Sequence, residues 1–476
     1  MHIADVVDYW GRTIPQHAAV IEPSNTITYA DLAHAAEAAA KHFERNIADR
    51  SRPVAVSVRT GSKMLVTVLG LLRAGFSVVL ANKSVLKELP SIGVETLIFE
   101  RDGATLDYGA NIVFDDGWLT LGAEAAGESK SIPRSRAGGG KIICFTSGTT
   151  GRPKTIACPP SSWQQRVLFP LNSAFSNYER MLIVPALETS WGLSRAYEVL
   201  HAGRTLCLAP PGQPTLWMLN THEVDTILAS PQQALELAEF QEKLGRFPLR
   251  SLKSFQIGAS TISRNSVLRV KNNLCRNVIM IYGSTEAGVA ALAPYDMIAG
   301  IPNAVGYILP DVEVEIADTA GRALPAGREG FVRIRSQVFR DNMAATGSAE
   351  EWFYPGDLGS ITESNMLCIA GRTSDVVNRG GDKLSITDLE EFLLTCFGVT
   401  DAGVCTVVGE AGFSQVWVAL VLSSSTDLAP LRYTIESNDR YRNNIDKIFV
   451  VESIPRGALG KIQREELKKM LQDIAE

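Results

Sequence analysis

The sequence predicts an α/β protein in which parallel sheets covered by helices are followed by antiparallel β structure and then by a small α+β domain. Three observations predict it. Short apolar strands alternate with helical segments as far as Ile281, which is the pattern of parallel sheets covered on both faces. After Pro310 the pattern becomes two-residue alternation, as in antiparallel β. A polar, glycine-containing joint at Gly371 to Asp375 then precedes a compact segment with apolar strands of its own.

The elements follow in order. Thr28 and Asp31 read as a helix start, after which Leu32, Ala35, Ala36, Ala39 and Phe43 recur on one helical face. Val54 to Val58 reads as a strand, Met64 to Arg73 as a helix ended at Gly75, and Ser77 to Leu80 as a strand. Further strands are expected at Leu97 to Phe99, Met181 to Val184, Thr205 to Leu208, Thr226 to Ala229, Ser254 to Ile257 and Val278 to Ile281. Between Phe114 and Gly140 the composition turns to Gly, Ala, Glu, Ser and Arg without apolar periodicity, so an exposed connection is expected. Val312 to Ile316, a turn at Asp318 to Arg322, and Gly330 to Arg335 read as a small barrel or sheet. The C-terminal segment offers strands Val404 to Val408 and Val416 to Val421, and a last helix carrying Leu467, Met470, Leu471 and Ile474.

Bulk properties narrow the function. A chain of 476 residues, 45% hydrophobic and 21% charged, suits a globular protein of roughly two to four domains. The net charge is −6 and no basic run tracks a nucleic-acid backbone, so the ligand should be small and a nucleic-acid partner is not expected. Seven cysteines with no C-x-x-C pair suit buried reduced thiols and a cytoplasmic location. The N-terminal residues Asp5, Asp8 and Arg12 argue against a secretory signal, and the apolar stretch Met64 to Leu72 falls well short of the roughly 20 residues of a membrane span.

The chemistry concentrates at residues 145 to 154, Phe-Thr-Ser-Gly-Thr-Thr-Gly-Arg-Pro-Lys, which follow the apolar run Ile142 to Cys144. Gly148 and Gly151 let successive N–H groups converge on an anion. Thr146, Ser147, Thr149 and Thr150 add hydroxyl donors, and Lys154 adds a point charge for polyphosphate. The glycine spacing fits neither a Walker A loop nor a dinucleotide fingerprint. A polar surface loop is the plain alternative.

Four further motifs bear on it. Tyr282-Gly283-Ser284-Thr285-Glu286 is expected on a loop at the carboxyl end of a strand, where Tyr282 can face a purine, Thr285 a phosphate and Glu286 a Mg²⁺; a strand-to-helix turn with a solvated Glu286 is the alternative. In Trp352 to Gly359, Asp357 is an acid in a turn that can accept both hydroxyls of a ribose or simply stabilise the turn. Arg372 offers a guanidinium fork for ribose or phosphate oxygens, or is a surface cation at a linker. Lys461, within Pro455-Arg-Gly-Ala-Leu-Gly-Lys, can reach an anion in a neighbouring cleft or stay solvated.

Together, in order and spacing, these motifs resemble the signature loops of the adenylate-forming superfamily, which includes acyl-CoA synthetases, luciferases and the adenylation domains of peptide synthetases. The resemblance runs from about Thr28 to the C-terminus. It implies a large N-terminal domain, residues 1–372, of two α/β sheets and a β-barrel that binds ATP and the acyl group. A small mobile lid, residues 373–476, would hinge near Ser374. Thr146 to Lys154 would shelter the ATP phosphates, and Tyr282, with Gly283 beside it, and the Gly258-Ala259 turn would flank adenine. Thr285 and Glu286 would hold phosphate and Mg²⁺, Asp357 and Arg372 would bind ribose, and Lys461 would contact the substrate carboxylate and the forming acyl phosphate.

Within that superfamily, Val377 to Ser385 with Leu389-Glu390 looks most like the acyl-CoA ligases, whose paired glycines, here Gly380 and Gly381, pass pantetheine close to the backbone. The implied cosubstrate is coenzyme A, with a free-standing enzyme that loads an amino or aryl acid onto a separate carrier protein as the alternative. A non-catalytic nucleotide-binding relative is the remaining alternative. Thr387 and Glu390 read as a capping box. Two positions depart from the family pattern: Ser374 stands at a hinge usually Asp or Lys, and Ile386 where those ligases usually have proline. Glu188, three residues before Trp191, is expected either to border the acyl pocket with Trp191 and favour small or polar-substituted acids, or to face solvent or a neighbouring Arg.

Overall fold

The computed structural model describes every residue except 1–2, 102, 104, 121–139, 147–153, 172–176, 211, 246–247, 380–381, 409–413, 424–427, 439–440, 443, 458–459 and 476. Two sheets dominate it. A six-stranded sheet runs, in spatial order, Ala110–Val113, Thr96–Phe99, Val54–Ser57, Val78–Leu80, Ile142–Thr146 and Lys154–Cys158, and only its last pair is antiparallel. The larger, thirteen-stranded sheet has a parallel centre: Val278–Ser284, Ser254–Ile257, Thr226–Ala229, Arg180–Ile183, Thr205–Cys207 and Ala18–Glu22. These strands are short and apolar because helices cover both faces.

The helix Tyr29–Asn46 starts where Thr28 caps it, with the Thr28–Asp31 box formed in both directions. It packs on Gly61–Arg73 so closely that a β-carbon on Gly70 would come 2.8 Å from Ala39 Cβ. A main core lies between the sheets and includes Tyr29, Phe43, Trp163, Tyr178 and Met64, all buried. Within it Arg195 and Glu198 form a buried ion pair, extended by Tyr178 Oη to Glu198 at 2.9 Å and by Arg195 to Gln256 at 2.8 Å.

Beyond Val278–Ser284 the large sheet turns antiparallel through Gly288–Pro294, Ala304–Ile308, Met366–Arg372, Asp357–Ile361, Gly330–Ser336 and Val312–Ala317. It curls back, so that Gly330–Ser336 meets Gly288–Pro294 and Val312–Ala317 meets Ala304–Ile308. The barrel-like interior is filled by Ala290, Leu309, Val314, Ile334 and Phe339 among others. The Asp318 to Arg322 turn is present, with Asp318 Oδ1 accepting from the N–H groups of Ala320 and Arg322.

After Arg372 come a short 3-10 turn, Thr373–Asp375, and the hairpin of Val376–Arg379 with Asp382–Ser385. A three-stranded sheet, Val399–Val408, Ser414–Leu422 and Lys447–Val450, then carries Ile386–Thr395 and Leu428–Glu436 on one face and Arg464–Ala475 on the other. Its two cores contain only residues beyond Val376.

Four expectations are corrected. Tyr282 to Ser284 belong to the strand, which hairpins through Thr285–Ala287 into an antiparallel partner instead of ending in a loop. Asp357 opens a strand and pairs with Arg372 across it, so it is not in a turn. The segment after Phe114 is not wholly exposed, because Phe114 and Trp118 are buried, with Trp118 packed edge-on against both Phe43 and Phe114. The helix at Ile386 is capped by Ser385, which accepts from Asp388 N, while Glu390 is buried and bound to Val404 N and Arg464. The capping-box pattern misled there because the helix starts two residues earlier, with Ser385 as the N-cap, which places Thr387 inside the first turn.

Candidate active site

Thr146 and Lys154 are paired across the hairpin Ile142–Thr146 and Lys154–Cys158, so they stand at the two ends of the glycine-rich loop. Ser147, Gly148, Thr149, Thr150 and Gly151 lie outside the described residues, as do Gly380 and Gly381. Ser374 falls in the 3-10 turn straight after Arg372.

Three predicted residues meet at the mouth of the large sheet. Asp357 is almost fully buried; its Oδ2 accepts from Tyr282 Oη at 2.6 Å and its Oδ1 from Arg372 Nε at 3.2 Å. Burial, with the Asp357 charge and hydrogen bond second, pushes the Tyr282 phenol far above its usual value, so it stays a donor. Each carboxylate oxygen of Asp357 keeps lone-pair capacity for a further donor. The arrangement is an acid held by two protein groups and able to accept from a diol.

Gly258 and Ala259 follow the strand Ser254–Ile257. A β-carbon at Gly258 would lie 3.0 Å from Ile281 O and 3.1 Å from Trp191 Cζ2, so a larger residue would have to push the strand or the indole by a few tenths of an ångström. Ala259 takes φ +77°, a left-handed conformation that non-glycine residues rarely adopt, so the turn is held in place by its surroundings. Trp191 thereby stands beside this turn. Glu188 precedes the N-cap Thr189 and is half-buried; burial raises its carboxyl pKa, and Arg59 is the cation that offsets this. No described side chain donates a hydrogen bond to it.

Glu286 sits at the hairpin turn, half-buried, and its carboxylate takes no hydrogen bond or ion pair from any described residue. Among the described residues no group of three His, Cys, Asp or Glu gathers anywhere. A lone, unpartnered carboxylate fits Mg²⁺ that arrives with nucleotide phosphates and keeps its own waters, and does not fit a protein-built cage.

Lys461 reaches this site from the C-terminal segment. Arg456 forms an antiparallel bridge with Ile462, and Gly457 N donates to Lys461 O at 2.8 Å, so the two flanks of the lysine segment pair as a hairpin. Arg456 is anchored to Asp401 at 2.6 Å and also holds Gly460 O at 2.6 Å. Gly460, at φ +75°, lies against Gln232, the second residue of the helix Pro231–Lys243. Lys461 keeps an exposed side chain, yet desolvation foremost, then the Arg372 guanidinium, lower its pKa to about 8 against the raising influence of Asp357, Glu286 and Asp375. Those influences place its ammonium in the same electrostatic neighbourhood as the acid, the guanidinium and the metal-competent carboxylate.

The sequence left three contributors unmarked. Arg166, Asn342 and Ser336 each donate to a carbonyl of the Thr285–Ala287 turn. Only Ser336 carried a signal, as the N-cap of Gln337–Thr346.

A family model described as AMP-binding enzyme matches residues 7–341. The chain is 24% identical to enterobactin synthase component E of Escherichia coli over 95% of this chain and 91% of that one. It is 22% identical to an indoleacetate–CoA ligase of Aromatoleum aromaticum, over 99% and 98%. Among solved structures, O-succinylbenzoate coenzyme A synthetase of Bacillus subtilis in complex with AMP superposes with a TM-score of 0.81 at 22% identity, covering 98% of both chains. The amide bond synthetase of Marinactinospora thermotolerans superposes with a TM-score of 0.78 at 22% identity, covering 98% and 99%.

Proposed function

The chain belongs to the family of AMP-binding enzymes, and from that premise we propose that it activates a carboxylic acid with ATP and passes the acyl group to a thiol, coenzyme A. The observation that carries this is the buried Asp357 held by Tyr282 and Arg372, with Lys461, from a separate part of the fold, under the electrostatic influence of Asp357, Arg372 and Glu286. A carboxylate is a poor electrophile, because its charge repels nucleophiles and its leaving group would be oxide. In the first half-reaction a carboxylate oxygen attacks the α-phosphorus of ATP, the bond to the β-phosphate oxygen breaks, and pyrophosphate leaves with that electron pair. A thiolate sulfur then attacks the acyl carbonyl and AMP departs with the C–O electrons, so no protein nucleophile is required.

Each residue has a part. The loop from Thr146 to Lys154 shelters the phosphates, Asp357 and Arg372 take the ribose, and Tyr282 and Gly258-Ala259 flank the adenine. Lys461, as an ammonium, pairs with the acid and the forming acyl phosphate. Thr285 supplies a hydroxyl to phosphate, and Glu286 would hold Mg²⁺, which when bound supplies charge neutralisation at the phosphates. Residues 1–372 and 373–476 form the two domains, with the turn at Ser374 as hinge and Gly380-Gly381 lining the thiol path; the separate cores on either side support that division. Glu188 and Trp191 border the acyl site and favour small or polar-substituted acids. The seven cysteines, all buried and free, suit a reducing cytoplasm, and no helix of the described residues is long and apolar enough to cross a membrane.

The test is ATP–pyrophosphate exchange over a panel of carboxylic acids that includes a plain medium-chain fatty acid and hydroxy-, amino- and aryl-carboxylates. Exchange with at least one acid is expected, and its absence with all of them while ATP binds would reject the activity. A second reading, loading of a carrier protein, is motivated by the near full-length similarity to enterobactin synthase component E. Offering coenzyme A and a phosphopantetheinylated carrier protein side by side decides between them.

A further inference from the structure

Three side chains from separate places in the fold converge on one turn of backbone. Arg166, on the helix Pro160–Leu171, donates through Nη2 to Thr285 O. Asn342, on Gln337–Thr346, donates to Glu286 O at 2.9 Å. Ser336, which ends the strand Gly330–Ser336, donates to Ala287 O at 2.7 Å and caps that same helix by accepting from Phe339 N at 3.1 Å. Three consecutive carbonyls are therefore each held by a side chain, and Ser284 Oγ closes the turn from within by accepting from Ala287 N at 3.0 Å.

Asn342 is the informative member. It is 1% exposed, and its Oδ1 has no hydrogen-bond partner among the described residues. A buried amide with an unsatisfied acceptor is costlier than an apolar side chain of the same size, so stability alone does not account for it. Its helix also packs on Lys154–Cys158 and on Pro160–Leu171. The element that fixes Glu286 O thus also touches the strand leaving the glycine-rich loop. Because the Glu286 carboxylate has no partner of its own among the described residues, its position is set through the backbone of the turn.

We propose that Arg166, Asn342 and Ser336 are positioning residues that hold the Thr285–Ala287 turn at a fixed distance from the phosphate hairpin, so that Glu286 stands where the metal of a metal–nucleotide complex arrives. This rests on the adenylate-forming reading. The test uses Mn²⁺, whose free concentration is read by electron paramagnetic resonance, with α,β-methylene-ATP and the full chain. Asn342→Leu is expected to weaken Mn²⁺ binding in the ternary complex about tenfold, the usual scale for a group behind a metal ligand. Affinity for the nucleotide without metal should stay within about twofold, and Asn342→Gln, which keeps a donor, should recover part of the loss. Arg166→Met reaches the same turn from another helix and should act in the same direction, which keeps the proposal open to refutation if Asn342→Leu does not fold. Wild-type Mn²⁺ affinity in both variants, or equal loss of metal-free nucleotide binding, would overturn it. A wild-type protein that binds no nucleotide would instead overturn the reading beneath it, and nucleotide binding with Mn²⁺ affinity unchanged in Glu286→Gln would remove the metal assignment alone.

Discussion

An ammonium that pairs with a carboxylate and a phosphate acts only while it is protonated. Lys461 has its pKa lowered from 10.5 to about 8, so its charge is present below that pH and lost as pH rises through it. The expected outcome is that kcat/KM for the acid in pyrophosphate exchange falls above about pH 8, since this parameter reports the free enzyme. Lys461→Arg should remove that limb and Lys461→Ala should cost about 10²- to 10³-fold in rate; a flat profile from pH 7 to 10 in the wild type would contradict the assignment. Arg195 and Glu198 give the residue-scale prediction for stability. Glu198→Ala leaves a guanidinium buried and unpaired, at about 3–5 kcal/mol, whereas Arg195→Met with Glu198→Leu should recover at least half of that in urea denaturation. Lys461 was legible through the resemblance of its glycine-flanked segment to a family motif, while the local residues alone leave it open between an anion contact and solvent. Arg195 and Glu198 were not, because a helical i, i+3 charge pair reads the same whether it faces solvent or core.

Local rules worked for elements wherever one short-range interaction dominates. The Thr28–Asp31 box and the strands Thr226–Ala229 and Ser254–Ile257 stand where the pattern put them. They failed where a partner outside the segment decides. Val278–Ser284 continues past Ile281 because Gly288–Pro294 pairs with it, and no periodicity within Tyr282-Gly283-Ser284 announces that partner. The helix pair Tyr29–Asn46 and Gly61–Arg73 gives a prediction in which two effects compete. In a relaxed helix Gly70→Ala would gain about 0.5–1 kcal/mol of propensity. Here its β-carbon would lie 2.8 Å from Ala39 Cβ and 3.1 Å from Ala40 N, and forcing the helices apart costs about 1–3 kcal/mol. The steric cost wins, so Gly70→Ala should lower the urea midpoint and Gly70→Val should lower it further. A more stable Gly70→Ala would show that the two helices can separate freely.

The arrangement of the whole chain decides which half-reaction it is set for. On the proposed function, a Lys461 that feels the charges of Glu286, Asp357 and Arg372 puts the C-terminal segment in the orientation for adenylate formation. No motif encodes that orientation, which is a property of two separately packed cores and the turn at Thr373–Asp375 between them. The contact that marks it is Gly460 on Gln232. A β-carbon on Gly460 would meet Gln232 Oε1 at 2.6 Å and Gln232 Cβ at 2.9 Å. The amide end can swing away, but Cβ is fixed to its helix, so a larger side chain must push the lysine hairpin off the site. Gly460→Leu is therefore expected to slow pyrophosphate exchange by at least about tenfold, on the scale of a 1 Å misplacement of a catalytic group. Thioester formation from supplied acyl-adenylate should stay nearly intact, because the collision exists only in this orientation. Gly460 also sits at φ +75°, where any β-carbon strains the hairpin by about 1–2 kcal/mol. Gln232→Ala in the Gly460→Leu background separates the two causes. Recovery of exchange in the double variant identifies the inter-domain collision, whereas exchange that stays low, or equal loss of both half-reactions in Gly460→Leu alone, would show that the hairpin itself is damaged and that the orientation is not what the contact controls.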